Sequence, residues 1–376
     1  MPRLLQVVTD TDRRGAQVFA TDLHDALARR GWVVRTAALA PGAVGGLDVA
    51  VLGPGRTHPA TLRALRAAAA GADVVAAHGS TTLPACAIAL AAGGPPFVYR
   101  QISDSRFWAP TRARRLRVRL GLRAAAGVVA LWSGSAATLE REFGVPASKL
   151  SIIPNGVPPE RFPPVERAAV PAARLALGLD PDRPVVASIG ALVPEKGVDL
   201  AIRAVAGLEG VQLVVAGDGP QRRVLEELAV TLAPGRVVFT GSVADPRPVL
   251  GAADVVVLPS RGGDSMPAVL IEAGLSGVPV VSTPVEGIVD IVQPGRTGEL
   301  VGVDDADGLR RAVGGLLEDP DRAERLAVAA RRRCEDRYAI DVVAAAWDGA
   351  LRAAVSRGGP PGAGLRRFAT PTGPGR

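Results

Sequence analysis

The sequence contains few cysteines, histidines and aromatic residues, and each shortage limits what the protein can be. Its 376 residues include two cysteines, Cys86 and Cys334, and three histidines. Because no cysteine or histidine spacing resembles a metal site and the cysteines lie in separate helical contexts, we expect neither a disulfide nor a metal ion. Aromatic residues make up only 3% of the chain, so alanine, valine and leucine must fill the core.

Long apolar runs are also missing. No apolar stretch reaches the roughly 18 residues that a membrane-spanning helix needs, and the start, MPRLLQVVTD, lacks the apolar segment of a signal peptide. The formal charge of +7 comes mainly from arginines spread along the chain. This pattern predicts weak attraction to anions and no specific binding of nucleic acid. We therefore expect a cytoplasmic protein.

What the sequence does contain is an alternation of short apolar runs and helical segments. Runs rich in valine, isoleucine and leucine predict strands buried on both faces, as in parallel sheets covered by helices. We predict an α/β protein with two doubly wound, Rossmann-like domains. The predicted strands lie at LLQVV, WVVRTAAL, DVAVL, DVVAAH, PFVYR, GVVAL, KLSIIP, PVVASIG, VQLVVAG, RVVFTG, DVVVLP and PVVST.

A proline-rich segment marks the boundary between the two domains. Residues 154–171 hold six prolines and little periodicity, which predicts a linker. We place an N-terminal domain at residues 1–165 and a C-terminal domain at residues 166–340. A last helix, residues 341–356, is expected to pack back towards the N-terminal domain. Residues 357–376 are rich in glycine, proline and arginine, which predicts a disordered tail.

The first candidate site residues follow strands, because ligands of doubly wound sheets bind beyond the carboxyl ends of the strands. Gly15 opens a helix after the first strand, where free N–H groups attract anions, although a plain turn would also use a glycine. His78 ends the fourth strand. It either points into the ligand crevice or is a buried histidine bonded to the backbone, and its position does not decide between them.

The second domain begins with a similar strand, loop and helix. In SIGALVPEKG, Lys196 lies in the loop, where a cation suits a phosphate group, although a solvated loop lysine is the commoner case. The later turn Gly217-Asp218-Gly219 lacks the third glycine of a dinucleotide fingerprint. This absence argues against an NAD-linked dehydrogenase.

The stretch GGDSMPAVLIEAG, residues 262–274, places two carboxylates around an apolar helix. Glu272 lies inside the helix, and a carboxylate in apolar surroundings is costly unless it is hydrogen-bonded. The two hydroxyls of a ribose would supply the donors, and so would a backbone N–H or an arginine from a neighbouring element. Asp264 precedes the helix, where it either contacts a ligand or acts as a capping or loop carboxylate.

A basic amphipathic segment follows the fifth strand. Leu116 and Leu120 share one helical face, as do Val118 and Leu122. Such a helix lies on an anionic membrane, holds a phosphorylated acceptor or presents a solvated face, which is the commonest case. We retain peripheral contact with the inner face of the membrane as a candidate role. The arginines of this segment are Arg112, Arg114, Arg115, Arg117, Arg119 and Arg123.

Taken in order, these motifs resemble retaining glycosyltransferases of the GT-B fold, family 4, which move a sugar from a nucleotide-diphosphate donor. The resemblance covers about residues 3–350 and rests on the first glycine loop, His78-Gly79, KLSIIPNGV, GALVPEKG, AGDGP, FTGSV and DSMPAVLIEAG. It implies two Rossmann-like domains facing a central cleft, with the acceptor on the N-terminal domain and the donor on the C-terminal domain. It also implies an enzyme, a hexosyltransferase, that needs no cofactor or metal.

The family pattern assigns roles to the matching residues. Lys196 and Gly15 would approach the donor diphosphate, and Glu272 would hold the ribose hydroxyls. His78 and Asp264 would be the catalytic residues near the transferred sugar. Residues 265–269 would offer backbone N–H groups to phosphate and sugar, and residues near Val243 would frame the base. The full implied donor site is Gly15, Gly190, Lys196, Val243, Ser265, Met266, Pro267, Ala268, Val269 and Glu272.

Three positions depart from the family pattern. Ala191 stands where the family often has a diphosphate arginine, Asp264 replaces a longer glutamate, and Arg14 precedes Gly15 in place of a second glycine. The expected function is transfer from a UDP- or GDP-sugar in cell-envelope glycan (polysaccharide), glycolipid or natural-product assembly. A catalytically silent nucleotide-sugar-binding protein stays open because of the departures. A sugar-nucleotide epimerase of similar fold also stays open.

Overall fold

A computed structural model describes residues 1–102, 109, 111–263 and 265–358 of the chain. Two parallel sheets, each flanked by helices, organise these residues. This architecture confirms the predicted α/β class with two Rossmann-like units.

The first sheet contains seven strands, all paired in parallel. They are β1 Arg3–Val8, β2 Val33–Ala38, β3 Ala50–Val51, β4 Val74–His78, β5 Phe97–Arg100, β6 Gly127–Ala130 and β7 Leu150–Ile152. Their order is β3-β2-β1-β4-β5-β6-β7. The order reverses between β1 and β4, and the loops beyond that switch point are where a doubly wound sheet binds ligands.

The second sheet contains six parallel strands with a similar reversal. They are β8 Val185–Ile189, β9 Gln212–Ala216, β10 Val237–Gly241, β11 Val255–Leu258, β12 Val280–Ser282 and β13 Glu299–Leu300. Their order is β10-β9-β8-β11-β12-β13, so the switch point lies between β8 and β11. The twelve predicted strands are all present. The sequence analysis missed β13 because two residues are too short to show a pattern.

Helices cover both sheets. They are α1 Gly15–Arg29, α2 Pro59–Ala69, α3 Thr82–Ala89, α4 Arg112–Ala124, α5 Ser133–Phe143, α6 Val170–Ala176, α7 Val198–Ala206, α8 Arg222–Leu232, α9 Arg247–Ala252, α10 Ala268–Leu275, α11 Ile288–Ile291, α12 Ala306–Glu318, α13 Pro320–Tyr338 and α14 Ile340–Gly358. The proline-rich linker is more ordered than predicted. Its prolines, whose φ is restricted, start short turns at Pro159–Arg161 and in α6.

The central strands are buried on both faces, as the apolar runs predicted. Every residue of β4, β9 and β11 is buried, and alanine, valine and leucine dominate the cores on either side. Small and branched side chains without polar atoms suit strands that helices cover on both faces. Cys86 and Cys334 are free and buried within these cores. Across the described residues, no helix is long and apolar enough to cross a membrane.

The last helix, α14, packs on the first sheet. It contacts α1, β4, β5 and β6, and its Trp347 is fully buried. Trp32 Nε1 donates to Asp348 Oδ1 at 2.6 Å, and Val157 of the linker pairs with Ala339 just before the helix. The domain limits at residues 165 and 340 stay predictions, and residues 359–376 of the predicted tail lie outside the described residues.

The packing of α14 predicts that Trp347→Ala lowers the free energy of unfolding by about 3–5 kcal/mol, because truncation leaves a large cavity in a closed core. Val342→Ala, on the same helix at a position 46% exposed, is the matched control and should change it by under about 0.5 kcal/mol. Denaturant unfolding of the two variants measures the difference. Equal effects would contradict the burial of the helix against the first sheet.

Candidate functional site

A cleft of about 950 Å³ separates the two sheets. Its walls come from the loops after β1 and β10, from the linker and from α10, so the carboxyl ends of strands from both sheets face it. The lining residues are Asp12, Arg13, Arg14, Gly15, Val18, Phe19, Asp22, Val44, Gly45, Gly46, Asn155, Gly156, Val157, Arg161, Phe162, Ser242, Val243, Ala244, Asp245, Pro246, Arg247, Ala268 and Glu272.

The loop after β1 presents an open helix start to the cleft. A Cβ atom added at Gly15 would meet nothing within 4 Å among the described residues, so the glycine leaves room for a ligand. Arg14 also lines the cleft, and both oxygens of buried Asp10 accept from its Nη2 at 2.6 Å. Arg56 also donates to Asp10, at 2.8 Å. Sequence analysis missed Asp10, because one of the two arginines that it bonds, Arg56, lies 46 positions further along the chain.

Glu272 faces the cleft from α10, where its neighbours Leu270, Ile271 and Ala273 are buried. Burial raises the pKa of its carboxyl group to about 7; Arg161 opposes this shift, and Asp22 and Asp245 add to it. Among the described residues, no group donates a hydrogen bond to the Glu272 side chain. The carboxylate therefore has unused acceptor capacity on the wall of the cleft.

Two loops of the second domain hold Lys196 in place. Gly197 has a φ of +64°, and a Cβ atom there would lie 2.1 Å from the carbonyl oxygen of Pro259, so only glycine allows the loop to touch the end of β11. The side chain of Lys196 passes Gly190, with Cε 3.9 Å from a Cβ atom built on that glycine. The structure thus brings together Gly190 and Lys196, whose phosphate-binding role stays a prediction.

Arg261 stabilises the loop that carries Lys196. It donates to the carbonyl oxygen of Pro194 at 2.9 Å and to both carboxylate oxygens of Asp199 at 2.8 Å. Its Nε donates to Asp304 at 2.5 Å, and these carboxylates raise the pKa of Arg261. Because Arg261 is committed to these partners, it does not replace the arginine missing at Ala191.

The linker holds the segment before α10. Asn155 Nδ2 donates to the carbonyl oxygen of Met266 at 2.6 Å, and the Asn155 N–H donates to Met266 Sδ at 3.2 Å. Ser265 and Met266 are buried, whereas Pro267, Ala268 and Val269 are half-buried. Gly287 packs against the same segment: a Cβ atom built on Gly287 would lie 1.8 Å from the carbonyl oxygen of Ser265. Asp264, the predicted sugar contact, lies outside the described residues.

Of the two alternatives for His78, the structure matches the buried histidine, although its bonding partner is a side chain and not the backbone. Its side chain is 1% exposed, its Nε2 lies 3.0 Å from Gln6 Oε1, and its ring lies 5.7 Å from the ring of Trp347. Burial, with a smaller contribution from Arg100, holds the pKa of His78 well below its usual value, so the ring is neutral. Helix α14 covers the face of β4 to which His78 points. His78 is therefore not among the residues that line the cleft, and its catalytic role stays a prediction.

Arg100 is a buried cation that sequence analysis did not identify. It ends β5 with 1% exposure, and its Nη2 donates to Asn155 Oδ1. The guanidinium carbon lies 3.9 Å from the ring centroid of Phe19. Its Nε and Nη1 have no hydrogen-bond partner among the described residues, and burial lowers the pKa of Arg100 to about 9. The sequence signal was an arginine at the end of the apolar run PFVYR, where a predicted buried strand finishes.

The remaining wall of the cleft carries paired charges. Arg161 donates to Asp22 Oδ2 at 3.1 Å, and burial raises the pKa of Asp22. Arg247 Nε donates to Asp245 Oδ2 at 2.8 Å on the far wall, next to Val243. These pairs line the opening around Glu272 with alternating charge.

Of the predicted donor residues, the structure places four at the cleft itself: Gly15, Val243, Ala268 and Glu272. Gly190 and Lys196 lie close to each other and are not among the residues that line this cleft. Ser265 and Met266 are buried, and Met266 bonds to Asn155 of the linker. Within the described residues, no group of three or more histidine, cysteine, aspartate or glutamate side chains could hold a metal ion.

Comparisons with known proteins match both halves of the chain. A family model described as Glycosyltransferase Family 4 matches residues 13–161, and one described as Glycosyl transferases group 1 matches residues 183–319. A GDP-mannose-dependent alpha-(1-6)-phosphatidylinositol monomannoside mannosyltransferase of Mycolicibacterium smegmatis is 38% identical over 210 residues, 52% of this chain and 54% of the relative. A lipopolysaccharide core biosynthesis glycosyltransferase of Rhizobium meliloti is 41% identical over 155 residues, 41% of this chain and 45% of the relative.

The aligned segments span about half the length of these curated relatives. Solved structures show the same fold over nearly the whole chain. HepE of Anabaena, crystallised with UDP-glucose, has a TM-score of 0.83 at 23% identity and covers 93% of this chain and 99% of its own. Sucrose-phosphate synthase of Thermosynechococcus elongatus has a TM-score of 0.82 at 23% identity, covering 95% of this chain and 100% of its own.

The environment of Glu272 predicts a pH-dependent stability. Folding raises its pKa from 4.5 to about 7, so the folded state binds the proton more tightly than the unfolded state. Its stability therefore falls as the pH rises through this window, by about 3 kcal/mol in total. Glutamine does not titrate, so Glu272→Gln does not lose this stability as the pH rises. Relative to wild type, the variant should gain about 3 kcal/mol of unfolding free energy between about pH 4.5 and pH 8.

Urea unfolding at several pH values measures the gain. Glu227→Gln, at an exposed position on α8, is the control and should track the wild type at every pH. A constant difference between Glu272→Gln and the wild type would show that the Glu272 carboxyl is not desolvated.

Proposed function

Because the chain belongs to the family 4, group 1 glycosyltransferases, we propose that it moves a hexose or related sugar from a nucleotide-diphosphate donor to an acceptor in the cleft between its two sheets. The acceptor would belong to cell-envelope glycan, glycolipid or natural-product assembly. The observation that carries this proposal is Glu272, a carboxylate with unused acceptor capacity on the wall of that cleft.

Glu272 suits the ribose of the donor. Two adjacent hydroxyls can donate to its two oxygens. These bonds favour the ionised form of the carboxylate and so oppose the burial that raises its pKa to about 7. Val243 and its neighbours lie on the same wall after β10, where a base attached to that ribose would rest. The donor would thus lie across the carboxyl ends of the second sheet.

The diphosphate would be stabilised from two sides. Lys196 supplies a compact cation near Gly190, and Arg261 bonds to the loop that carries it through the carbonyl oxygen of Pro194. Across the cleft, the open helix start at Gly15 offers N–H groups. Departure of the nucleotide builds negative charge on the leaving oxygens, and preorganised donors of this kind lower the barrier by stabilising it.

Retention of configuration would follow from attack on the face that the nucleotide leaves. The leaving phosphate accepts the acceptor's proton, so no protein nucleophile is needed. The sugar becomes oxocarbenium-like, and closure of the cleft around the donor excludes water. Independence from metal ions stays a prediction, which turnover measured with a chelator tests.

The arrangement of α4 supports contact with a membrane surface, where lipid-linked acceptors reside. Its arginines are exposed, and so are Leu116 at 57% and Leu120 at 54%, whereas Val118 and Leu122 pack on the core. Exposed leucines between arginines match an interfacial helix that binds anionic lipid. We propose that this face rests on the inner leaflet.

The donor assignment predicts that a UDP- or GDP-sugar raises the melting temperature in a thermal-shift screen. A ligand at 100 times its dissociation constant adds about 2.7 kcal/mol of stability. Glu272→Ala should abolish the shift, whereas Glu227→Ala on the exposed face of α8 should preserve it. If no nucleotide sugar shifts the wild type, or if Glu272→Ala responds like the wild type, the donor-site assignment fails.

Turnover separates transfer from the two other functions. We expect labelled donor to be consumed by transfer or slow hydrolysis with acceptors present. The exposed Ala191 in place of an arginine favours a silent binding protein as the second candidate. Binding without consumption of donor would favour that candidate, and conversion of the sugar within the nucleotide would favour an epimerase.

The membrane proposal predicts that the protein co-sediments with vesicles that contain anionic lipid. Leu116→Ser with Leu120→Ser should lower the bound fraction several-fold, since the apolar part of the interfacial contact is lost. Val224→Ser with Val230→Ser, at exposed apolar positions on α8, is the matched control. Equal sedimentation of the two double variants would contradict a role for α4.

A further inference from the structure

Arg100 lies one side chain below the floor of the cleft. It contacts Phe19 and Asn155, and both of these residues line the cleft. Phe19 lies one turn after Gly15 in α1, and Asn155 contacts Met266 in the segment before α10. The guanidinium therefore sits where the first domain meets the segment that leads into the donor helix.

The partners of Arg100 are incomplete. One amide oxygen accepts from Nη2, while Nε and Nη1 are buried without any partner among the described residues. No carboxylate in that part of the chain pairs with it. Buried cations are normally paired with anions, and unsatisfied buried donors are rare in native proteins, so this group requires an explanation.

A second buried arginine within the described ranges, Arg174, shows what a structural role looks like. Arg174, 8% exposed, donates to the carbonyl oxygens of Ala252 and Pro181 and to the carboxylate of Asp254. All three of its nitrogen atoms are engaged, and its charge is compensated. Within the same ranges, Arg100 instead has one hydrogen-bond partner, which is uncharged. An arginine that binds an anionic ligand would leave its other donors unpaired in this way.

We infer that Arg100 binds a phosphate group of a substrate at the floor of the cleft, with Asn155 occupying its Nη2 while the cleft is empty. A phosphate oxygen pair matches the fork of a guanidinium, so Nε and Nη would both be satisfied. Phe19 and Asn155 separate Arg100 from the cleft, so a phosphate would reach it on displacement of one of them. This inference rests on the proposed function, and it supplies the arginine that is missing at Ala191.

The phosphate has two sources, the donor diphosphate or a phosphorylated acceptor, and two arms of one experiment distinguish them. The first arm measures the affinities of uridine, UMP and UDP, and of guanosine, GMP and GDP, by calorimetry. The second measures inorganic phosphate binding with and without saturating UDP or GDP. Both use the full chain as wild type, Arg100→Met and Arg100→Lys.

In the donor case, the ratio of nucleoside diphosphate affinity to nucleoside affinity should be at least tenfold lower in Arg100→Met than in the wild type. The nucleoside affinity itself should stay within twofold of the wild-type value. In the acceptor case, the nucleotide series is unchanged but inorganic phosphate no longer binds. Arg100→Lys should retain part of either effect because it keeps the charge. Arg100→Met should not lower the melting temperature, in contrast to Arg174→Met, because it removes an uncompensated charge.

Two outcomes overturn the inference. If both arms of Arg100→Met match the wild type, Arg100 only positions Asn155. If nucleoside affinity falls in step with diphosphate affinity, Arg100 shapes the cleft without binding phosphate. A wild type that binds no nucleotide at all sinks the proposed function instead, and the phosphate arm on the empty protein still decides whether Arg100 binds an anion.

Discussion

Burial of charge at the cleft is the constraint on which the rest of the structure depends. Glu272 and Arg100 are both desolvated, and among the described residues neither has a hydrogen-bonded partner of opposite charge. Such groups are costly in an empty site, but they interact strongly with a ligand that supplies what they lack. Two parallel sheets with cores covered on both faces provide the stability that offsets this cost.

The linker contributes to the site as well as joining the domains. Asn155 connects Arg100 to Met266, and Arg161 connects Asp22 of α1 to the surroundings of Glu272. A motion that opens the cleft at this seam must break the bonds between Asn155 and Met266. If Arg100 and Glu272 bind a ligand as proposed, binding and the relative position of the two sheets would be linked through the same few side chains.

Local pattern predicted the fold because strand and helix signals are short-range. The valine-rich runs gave the right strands, and the loops after them do form the cleft walls, as Gly15 and Val243 show. The strand order within each sheet reverses once, as is general for doubly wound domains. His78 marks the limit of this approach. The end of a strand defines an edge of the sheet, but which face is covered depends on α14, far along the chain.

The sequence by itself determined the two-domain α/β architecture, the positions of the candidate loops and the unusual carboxylate at Glu272. These features depend on periodicity and on residue type, which are properties of adjacent residues. Only the tertiary structure decided the partners: Arg56 for Asp10, Asp199 for Arg261, Trp347 beside His78, and the incomplete set around Arg100. Charge pairing acts over a few ångströms in space, and chain folding alone decides which distant residues come within that distance.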